Sequence, residues 1–414
     1  MEDKFSELAR KLRPSPIREL LKLINEPDII SFAGGIPDPT LFPIDLMWEV
    51  TQQILENEGD KALQYGPSDG DIGLREEISK WLKDKEGVDI PASRILPTTA
   101  SQQGLDLIGK IFINPGDYVI VGLPTYLGAL AAFSAYGVQF IGIPLDDEGM
   151  QVELIPEKLK KLRRAQKRVK FVYVVPDFQN PAGVTMSLQR RKRLIEIAEK
   201  YDFLIVEDTP YRELRYSGEH VPPFIALGPK ERVISLYSFS KILFPGLRVG
   251  FVIAAPNVIR KLILAKQAAD LCSPVLTQFV VREILKRRDA FKRHIMRLVV
   301  RYRDKRDAML SALMKYFHDI PGVRWTKPEG GLFLWLTFPE GLDTEKMFPK
   351  ALENKVAYII GTAFHFDGSG KNTARLNFSY PTMKQIDEGI QRLSKVVEAE
   401  LRELERKKRI KLTV

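Results

Sequence analysis

Polar side chains follow three short apolar runs in the middle of the chain, and their types could support covalent catalysis. A lysine held in a partly desolvated site can supply an uncharged amine that bonds to a carbonyl carbon and then carries protons. Lys241 is the candidate, because it comes directly after such a run. The runs and the residues that follow them are Phe171–Val175 with Asn180, Phe203–Val206 with Asp208 and Tyr211, and Val233–Tyr237 with Ser238, Ser240, Lys241 and Arg248.

These runs belong to a longer pattern in which β-branched segments alternate with amphipathic helical stretches. The pattern predicts an α/β fold, a mostly parallel sheet wrapped by helices. Side chains at the carboxyl ends of parallel strands face the ligand crevice, so the polar residues should meet there. Further expected elements are the strands Ile95–Pro97, Tyr118–Gly122, Val138–Pro144 and Val249–Ala254, and the helices Leu127–Tyr136 and Leu188–Tyr201.

The pattern changes after about Pro274, where long basic helices extend to about Tyr316. Gly331–Leu336 and Ala374–Phe378 then have the composition of strands in a separate layer. We therefore predict a three-layer large domain over residues 44–290 and a smaller α+β domain made of residues 1–43 and 291–414. The smaller domain would include an N-terminal helix, Ser15–Leu23, and the loop that follows it.

The chain has 414 residues, with 63 Lys and Arg against 53 Asp and Glu, which gives a formal net charge of +10. Basic clusters such as Lys286–Arg303 adjoin helical apolar spacing and are typical of solvated helix faces. No basic patch is interleaved with aromatic residues, so we expect no specific nucleic-acid partner. The lone Cys272, the lack of a long apolar run and the absence of a secretion pattern favour the cytoplasm without a membrane partner.

Several common chemistries lack their motifs in this sequence. The four histidines do not pair with another His or Cys at metal-ligand spacing, so we expect no metal site. The G-x-S-x-G elbow, the G-x-x-x-x-G-K-[ST] phosphate loop and the G-x-G-x-x-G dinucleotide turn are also missing. The usual signals of hydrolases, ATPases and dehydrogenases are therefore absent.

The order Asn180, Asp208-x-x-Tyr211, Ser238-x-x-Lys241 resembles the fold type I pyridoxal-phosphate enzymes of the aminotransferase class I/II superfamily over nearly the whole chain. The resemblance implies pyridoxal 5′-phosphate as cofactor and Lys241 as the catalytic lysine. It further implies that the Asp208 carboxylate stabilises the protonated ring nitrogen of the cofactor. Asn180 and Tyr211 would be donors to the ring's phenolate oxygen.

The same resemblance implies how the remaining groups are bound. The phosphate would lie at a helix that opens with Ser101 and Gln102, where backbone N–H groups attract anions. Tyr126 would stack on the cofactor ring, and Arg375 would hold the substrate's α-carboxylate through a bidentate guanidinium. Further phosphate ligands would be Ser238, Ser240, Arg248 and, from the neighbouring subunit, Tyr65. A site built across an interface implies a homodimer or a larger homo-oligomer.

The segment Ser31–Pro39 resembles the branch of 2-aminoadipate, kynurenine and aromatic amino-acid aminotransferases. In relatives of that branch, a loop matching Gly34 and Gly35 closes over the substrate. Arg18 matches an arginine that pairs with a side-chain carboxylate, and an ordinary arginine on a helix surface would look the same. The expected reaction moves an amino group from an aromatic amino acid, 2-aminoadipate or a similar donor to 2-oxoglutarate through a ping-pong cycle.

Two other functions share much of this residue set. A carbon–sulfur β-lyase or an aminocyclopropane-carboxylate synthase would keep the cofactor and change the reaction. A transcriptional regulator with an aminotransferase-like domain would carry a helix-turn-helix domain ahead of the Gly-Gly loop. Because only about thirty residues precede that loop here, we expect an enzyme.

Overall fold

The computed structural model describes residues 2–6, 9–10, 28–164 and 167–413. Arg18 and the predicted helix Ser15–Leu23 lie outside the described residues. The strands are β1 (Ile30–Ser31), β2 (Ile95–Thr98), β3 (Tyr118–Leu123), β4 (Gln139–Asp146), β5 (Gly149–Met150), β6 (Val169–Val174), β7 (Leu204–Asp208), β8 (Val233–Ser238), β9 (Gly250–Ile253), β10 (Arg324–Trp325), β11 (Phe333–Thr337), β12 (Val356–Ala357), β13 (Ile359–Ile360) and β14 (Thr373–Asn377).

Helices surround and connect these strands. They are α1 (Ile44–Ala62), α2 (Ile72–Glu86), α3 (Ala100–Phe112), α4 (Leu127–Ser134), α5 (Ile155–Arg164), α6 (Leu188–Tyr201), α7 (Phe224–Leu227), α8 (Pro256–Asp270), α9 (Val275–Lys286), α10 (Arg288–Phe317), α11 (Thr344–Glu353) and α12 (Met383–Thr413). Within the described ranges, no helix is both long enough and apolar enough to span a bilayer.

An eight-stranded sheet in the order β2-β9-β8-β7-β6-β3-β4-β5 lies at the centre of the fold. Strands β4, β3, β6, β7 and β8 are parallel, whereas β9 is antiparallel to both of its neighbours. Every residue of β8 is buried, as expected for a strand covered on both faces. Since β6, β7 and β8 are parallel neighbours, the polar residues that follow them emerge at one edge of the sheet.

A second sheet, in the order β10-β11-β14-β13, is antiparallel throughout. The long helices α10 and α12 pack against each other beside it. Strand β1 pairs in parallel with β12, which ties the segment after residue 28 to this part of the molecule. Arg375 lies in the middle of β14, opposite Trp335 of β11.

The predicted α/β fold is confirmed, and the predicted helix Leu188–Tyr201 has the same bounds in the structure. Two strands depart from the parallel pattern, the short edge strand β5 and the central strand β9. The connection from β8 to β9, residues 239–249, contains only short 3₁₀ turns and no crossover helix, so β9 returns antiparallel. Helix α10 runs across the predicted domain boundary after residue 290, and the division into two domains stays a prediction.

Gly250 allows β9 to approach the beginning of helix α3 closely. A Cβ atom at this position would lie 2.5 Å from the Tyr237 carbonyl oxygen and 2.9 Å from Ala100 Cα. Both are backbone atoms, which cannot turn aside as a flexible side chain can. The first turn of α3 is therefore fixed by contact with the strand that follows Lys241 and Arg248.

We predict that Gly250→Ala lowers the free energy of unfolding by about 1–3 kcal/mol, because overpacking forces the backbone to shift. Gly59→Ala is the matched control: no heavy atom lies within 4 Å of a Cβ there, and alanine favours the helix. Chemical denaturation of both variants measures the difference. Equal stability of the two variants would contradict the close approach.

Candidate active site

Asp208 ends strand β7 with its side chain buried. Tyr173, on the neighbouring strand β6, donates its hydroxyl to Asp208 Oδ2 at 2.9 Å. Oδ1 is also buried, and no group in the described parts of the chain bonds to it. Burial raises the pKa of Asp208 to about 7, although the hydrogen bond from Tyr173 opposes the rise. A cationic donor facing Oδ1 would favour the carboxylate form.

Asn180 connects two other candidate residues. Its Nδ2 donates to the Tyr211 hydroxyl oxygen at 3.3 Å, and its Oδ1 accepts from Arg375 Nη1 at 3.0 Å. All three side chains are buried. Burial raises the pKa of Tyr211 far above its ordinary value, so its hydroxyl remains protonated and able to donate. Tyr211, Asn180 and Arg375 thus form one hydrogen-bonded group.

Arg375 lies between two aromatic rings and the segment that precedes Gly34. The guanidinium carbon is 4.1 Å from the Phe333 ring centre and 5.1 Å from that of Phe364. Arg375 Nη2 donates to the Ala33 carbonyl at 2.7 Å, while buried Nε lacks a partner among the described residues. Burial lowers the pKa of Arg375 to about 10. The guanidinium therefore retains its charge at neutral pH and can bind an anion.

Lys241 ends the 3₁₀ turn Phe239–Lys241, directly after β8. Its Nζ donates to the Gly35 carbonyl at 2.8 Å. Burial, together with the nearby positive charges of Arg375 and Arg248, lowers the pKa of Lys241 to about 8. A substantial fraction of the amine is therefore neutral near physiological pH, which a nucleophile requires.

Hydroxyl and cationic groups gather where β8 ends. Ser238 Oγ bonds to Ser240 Oγ at 3.0 Å and accepts from the Ser240 N–H at 3.2 Å. Arg248 Nη1 lies 3.5 Å from Ser240 Oγ, and Arg248 itself has a left-handed backbone (φ 53°). The beginning of α3, with Ser101 and Gln102, adjoins this group through the contact of Ala100 with Gly250.

The remaining predicted residues occupy the rim of the site or the surface. Tyr126 precedes α4, and its hydroxyl lies 3.4 Å from Gln102 Oε1. Gly34 is buried and Gly35 half-buried, and the ring of Phe333 on β11 lies beside Gly35. Tyr65 is 80% exposed in the single chain. Its predicted role therefore depends on a second subunit.

The sequence did not predict four groups of this site: Tyr173, Phe333 and the carbonyl groups of Ala33 and Gly35. Tyr173 had a signal, since a tyrosine inside the apolar run Phe171–Val175 needs a buried partner for its hydroxyl. The carbonyl groups had none, because every residue type carries one. No metal-ligating group of three or more His, Cys, Asp or Glu was found in the described ranges.

Comparisons with known proteins agree with this geometry. The family profile "Aminotransferase class I and II" matches residues 28–393. Aromatic-amino-acid aminotransferase 1 of Thermococcus litoralis is 49% identical over 401 residues, which cover 97% of this chain and 95% of that protein. The 2-aminoadipate transaminase of Thermus thermophilus is 40% identical over 397 residues, 95% of this chain and 96% of that protein.

Solved structures with similar folds include the kynurenine aminotransferase of Pyrococcus horikoshii, determined in complex with PMP, KYN as substrates and KYA as products. The TM-score is 0.92 at 49% identity, over 97% of this chain and 98% of that chain. Thermus thermophilus aspartate aminotransferase, at 21% identity and a TM-score of 0.81, supports the fold alone.

We predict that the uptake of pyridoxal phosphate by the apoprotein speeds up with rising pH and levels off above about pH 8, because the neutral Lys241 amine is the reactive form. Arg375→Gln removes a neighbouring positive charge, so it should move the midpoint to higher pH. Arg402→Gln, on the exposed end of α12, should leave it unchanged. Stopped-flow absorbance measures the rates; a wild-type midpoint near 10.5 would contradict the lowered pKa.

Proposed function

We infer the function from the family: the chain belongs to the aminotransferase class I and II family. It transfers an amino group from an aromatic amino acid, 2-aminoadipate or a similar donor to 2-oxoglutarate. The cofactor is pyridoxal 5′-phosphate, which supplies an aldehyde that accepts the amino group and a ring that takes up the substrate's electrons. The first 2-oxo acid leaves before the second one binds, so the kinetics are ping-pong.

The observation that carries this proposal is that the Asn180 side chain bridges Tyr211 and Arg375. One end of its amide bonds to Tyr211 and the other to Arg375. A carboxylate held by Arg375 would therefore lie beside the donors assigned to the cofactor ring. This adjacency is what an aminotransferase needs, because the substrate's α-carbon must react next to the ring.

The side chains that would surround the ring fit its chemistry. Asp208 offers a buried oxygen without a partner, which suits a protonated ring nitrogen. Tyr211 and Asn180 offer neutral donors to the ring oxygen, and neither would leave a second charge buried beside it. Tyr126 is assigned to the face of the ring.

The phosphate is assigned to the cluster at the end of β8 and the beginning of α3. Ser238 and Ser240 supply hydroxyl groups, Arg248 supplies a cation, and the first N–H groups of α3, at Ser101 and Gln102, are free to bond to an anion. Arg248 can take up such a ligand because its present contacts, to Ser240 Oγ and the Pro245 carbonyl, are long at 3.5 and 3.4 Å.

Lys241 would carry the protons of the reaction. Its Nζ would remove the proton from the substrate's α-carbon and would then deliver a proton in the second part of the transfer. This role requires a pKa near the working pH. The lowered pKa of about 8 satisfies this requirement. The Gly34-Gly35 segment lies on the same side, since the Gly35 carbonyl accepts from Lys241.

The substrate range is proposed from the relatives, whose names give aromatic amino acids, 2-aminoadipate and kynurenine. The Gly34-Gly35 loop is assigned to the substrate, and Arg18 to a side-chain carboxylate. The rim near this loop carries Ile36, which is 44% exposed and would suit the apolar part of such a donor.

We propose a homodimer in which Tyr65 reaches the phosphate of the neighbouring subunit. Tyr65 has no partner role within its own subunit's site, and other large apolar side chains are exposed near it in sequence: Trp48, Leu63 and Ile72. Burial of these side chains by a second copy would remove their apolar surface from water. A cytoplasmic location is also proposed, from the single cysteine.

We predict that the purified protein converts aromatic donors and 2-aminoadipate, with stoichiometric glutamate formed from 2-oxoglutarate. Lys241→Ala should lower kcat by about 10²- to 10⁴-fold, since the variant lacks the group that moves protons. Lys261→Ala, an exposed lysine on α8, is the control and should keep full activity. A panel of amino acids, followed by cofactor absorbance and glutamate assay, tests this.

Two results of the panel would count against the proposal. Protein that binds no pyridoxal phosphate would remove the assignment of the whole site. Protein that binds the cofactor but releases pyruvate and ammonia without an acceptor would be a lyase.

We predict that Tyr65 acts across a subunit interface. Tyr65→Phe removes one hydrogen bond to an anion and should weaken cofactor binding about tenfold. Mixed dimers of a Tyr65→Phe subunit and a Lys241→Ala subunit should then contain one intact site, made of the first subunit's lysine and the second subunit's tyrosine. Titration with cofactor should show that site binding with wild-type affinity. If Tyr65 serves its own subunit, no intact site can form.

A further inference from the structure

A cluster of buried ion pairs adjoins the segments that carry Asn180 and Tyr211. Its members are Glu86, Asp177, Arg191 and Arg212. Asp177 Oδ1 accepts from Arg191 Nη2 at 2.7 Å, and Asp177 Oδ2 accepts from Arg212 Nη1 at 2.8 Å. Arg212 also forms a two-pronged pair with Glu86, with both distances at 2.8 Å. None of the four side chains is more than 3% exposed, and their formal charges sum to zero.

The cluster holds the two segments that carry the ring donors. Arg212 is the residue next to Tyr211, and Asp177 begins the turn that ends in Asn180. Arg191 donates to the carbonyl groups of Pro176 and Met186, which lie on either side of that turn. The contacts of Asp177 and Arg191 thus hold the turn before Asn180, and Arg212 ties that turn to Tyr211. The other contacts of the cluster, to exposed His220 and to the Val221 and Pro222 carbonyl groups, lead to the segment before α7.

The turn between Asp177 and Asn180 needs such support. Phe178 has a left-handed backbone, with φ of 52°, which is unfavourable for a bulky residue. Its ring packs against Gly330 and Gly331, where a Cβ atom would come within 2.5 Å of Phe178. Arg191 and Arg212 thus fix Asp177, which precedes Phe178. Gly330 and Gly331 confine the ring of Phe178 itself.

Stability alone does not account for the cluster. Burying four charges is costly even when they are paired, and apolar side chains of similar volume often give equal or greater stability. The benefit of the ion pairs is directional, because a planar guanidinium fork fixes the position of its partners. Both guanidinium groups here donate to Asp177, while the two-pronged pair with Glu86 holds Arg212 itself in place.

We propose that Asp177 and Arg212 are positioning residues that set the hydrogen bonds from Asn180 and Tyr211 to the cofactor's ring oxygen. The inference rests on the proposed function, which assigns those two donors to the ring. Donors to that oxygen weaken its hold on the proton that it shares with the Lys241 nitrogen. Loosening the donors should therefore raise the pH at which this proton leaves.

The test is the pH midpoint of the visible absorbance of the bound cofactor, measured on the holoenzyme. Asp177→Asn should raise the midpoint by about half to one pH unit. Tyr211→Phe, which removes a donor outright, should raise it at least as far. Asp146→Asn is the matched control. Asp146 pairs with Arg190, the sequence neighbour of Arg191, but its side chain is 42% exposed and it is distant in sequence from Asn180 and Tyr211. The control should not shift the midpoint.

The double variant Arg212→Lys with Tyr211→Phe should shift the midpoint by less than the sum of the single shifts, since Arg212 is next to Tyr211 in the chain and acts through its hydroxyl. Arg212→Lys keeps the charge but not the fork, so it should behave like Asp177→Asn. If Asp177→Asn does not fold, Glu86→Gln carries the test, because it preserves shape and removes the charge at the far end of the cluster.

The outcomes separate this inference from the proposed function. A wild type that binds the cofactor, together with folded variants whose midpoints are unchanged, would overturn the positioning role alone. A wild type that takes up no cofactor would overturn the proposed function and this inference with it. Midpoints that shift additively in the Arg212→Lys, Tyr211→Phe double variant would show that Arg212 acts by a route other than Tyr211, which also overturns the inference.

Discussion

The site depends on three ionisable groups held largely out of water: Asp208 and Lys241 at one edge of the large sheet, and Arg375 on the second sheet. The rest of the site follows from their incomplete pairing. Asp208 keeps one oxygen without a partner, and Arg375 keeps Nε without one among the described residues. Burial raises the pKa of Asp208 and lowers those of Lys241 and Arg375, and in each case the neutral form is favoured. Uncompensated burial is costly, so such groups are sustained by a ligand that brings the missing charges.

The fold makes this arrangement possible by parallel pairing. Strands β6, β7 and β8 are neighbours and run the same way, so Asn180, Asp208 and Lys241 emerge side by side although they are far apart in the chain. Arg375 comes from the other sheet, on β14, and reaches Asn180 at 3.0 Å. The site is thus closed by contact between two layers, and neither sheet contains it alone.

The sequence was sufficient for the parts that depend on local pattern. Apolar runs followed by polar residues predicted the strands of the large sheet and the edge where Lys241 and Asp208 meet. Periodicity could not predict that β9 runs antiparallel, because direction depends on the length of a connection and on whether it contains a helix. The hydrogen bonds to the carbonyl groups of Ala33 and Gly35 depend on tertiary position alone. For Arg18, which lies outside the described residues, the expectation from the sequence stands as it was.

These two carbonyl groups link the segment around Gly34 to the cations of the site. Gly35 accepts from Lys241 and Ala33 accepts from Arg375, so one short segment covers both cations. The segment is anchored beyond Gly35 by Asp38, whose carboxylate pairs with buried Lys305 at 2.6 Å. It is anchored before Ala33 by Phe32, whose N–H donates to Ala357. Because the two anchors hold its ends, the backbone freedom of this segment lies between them, where its two glycines are.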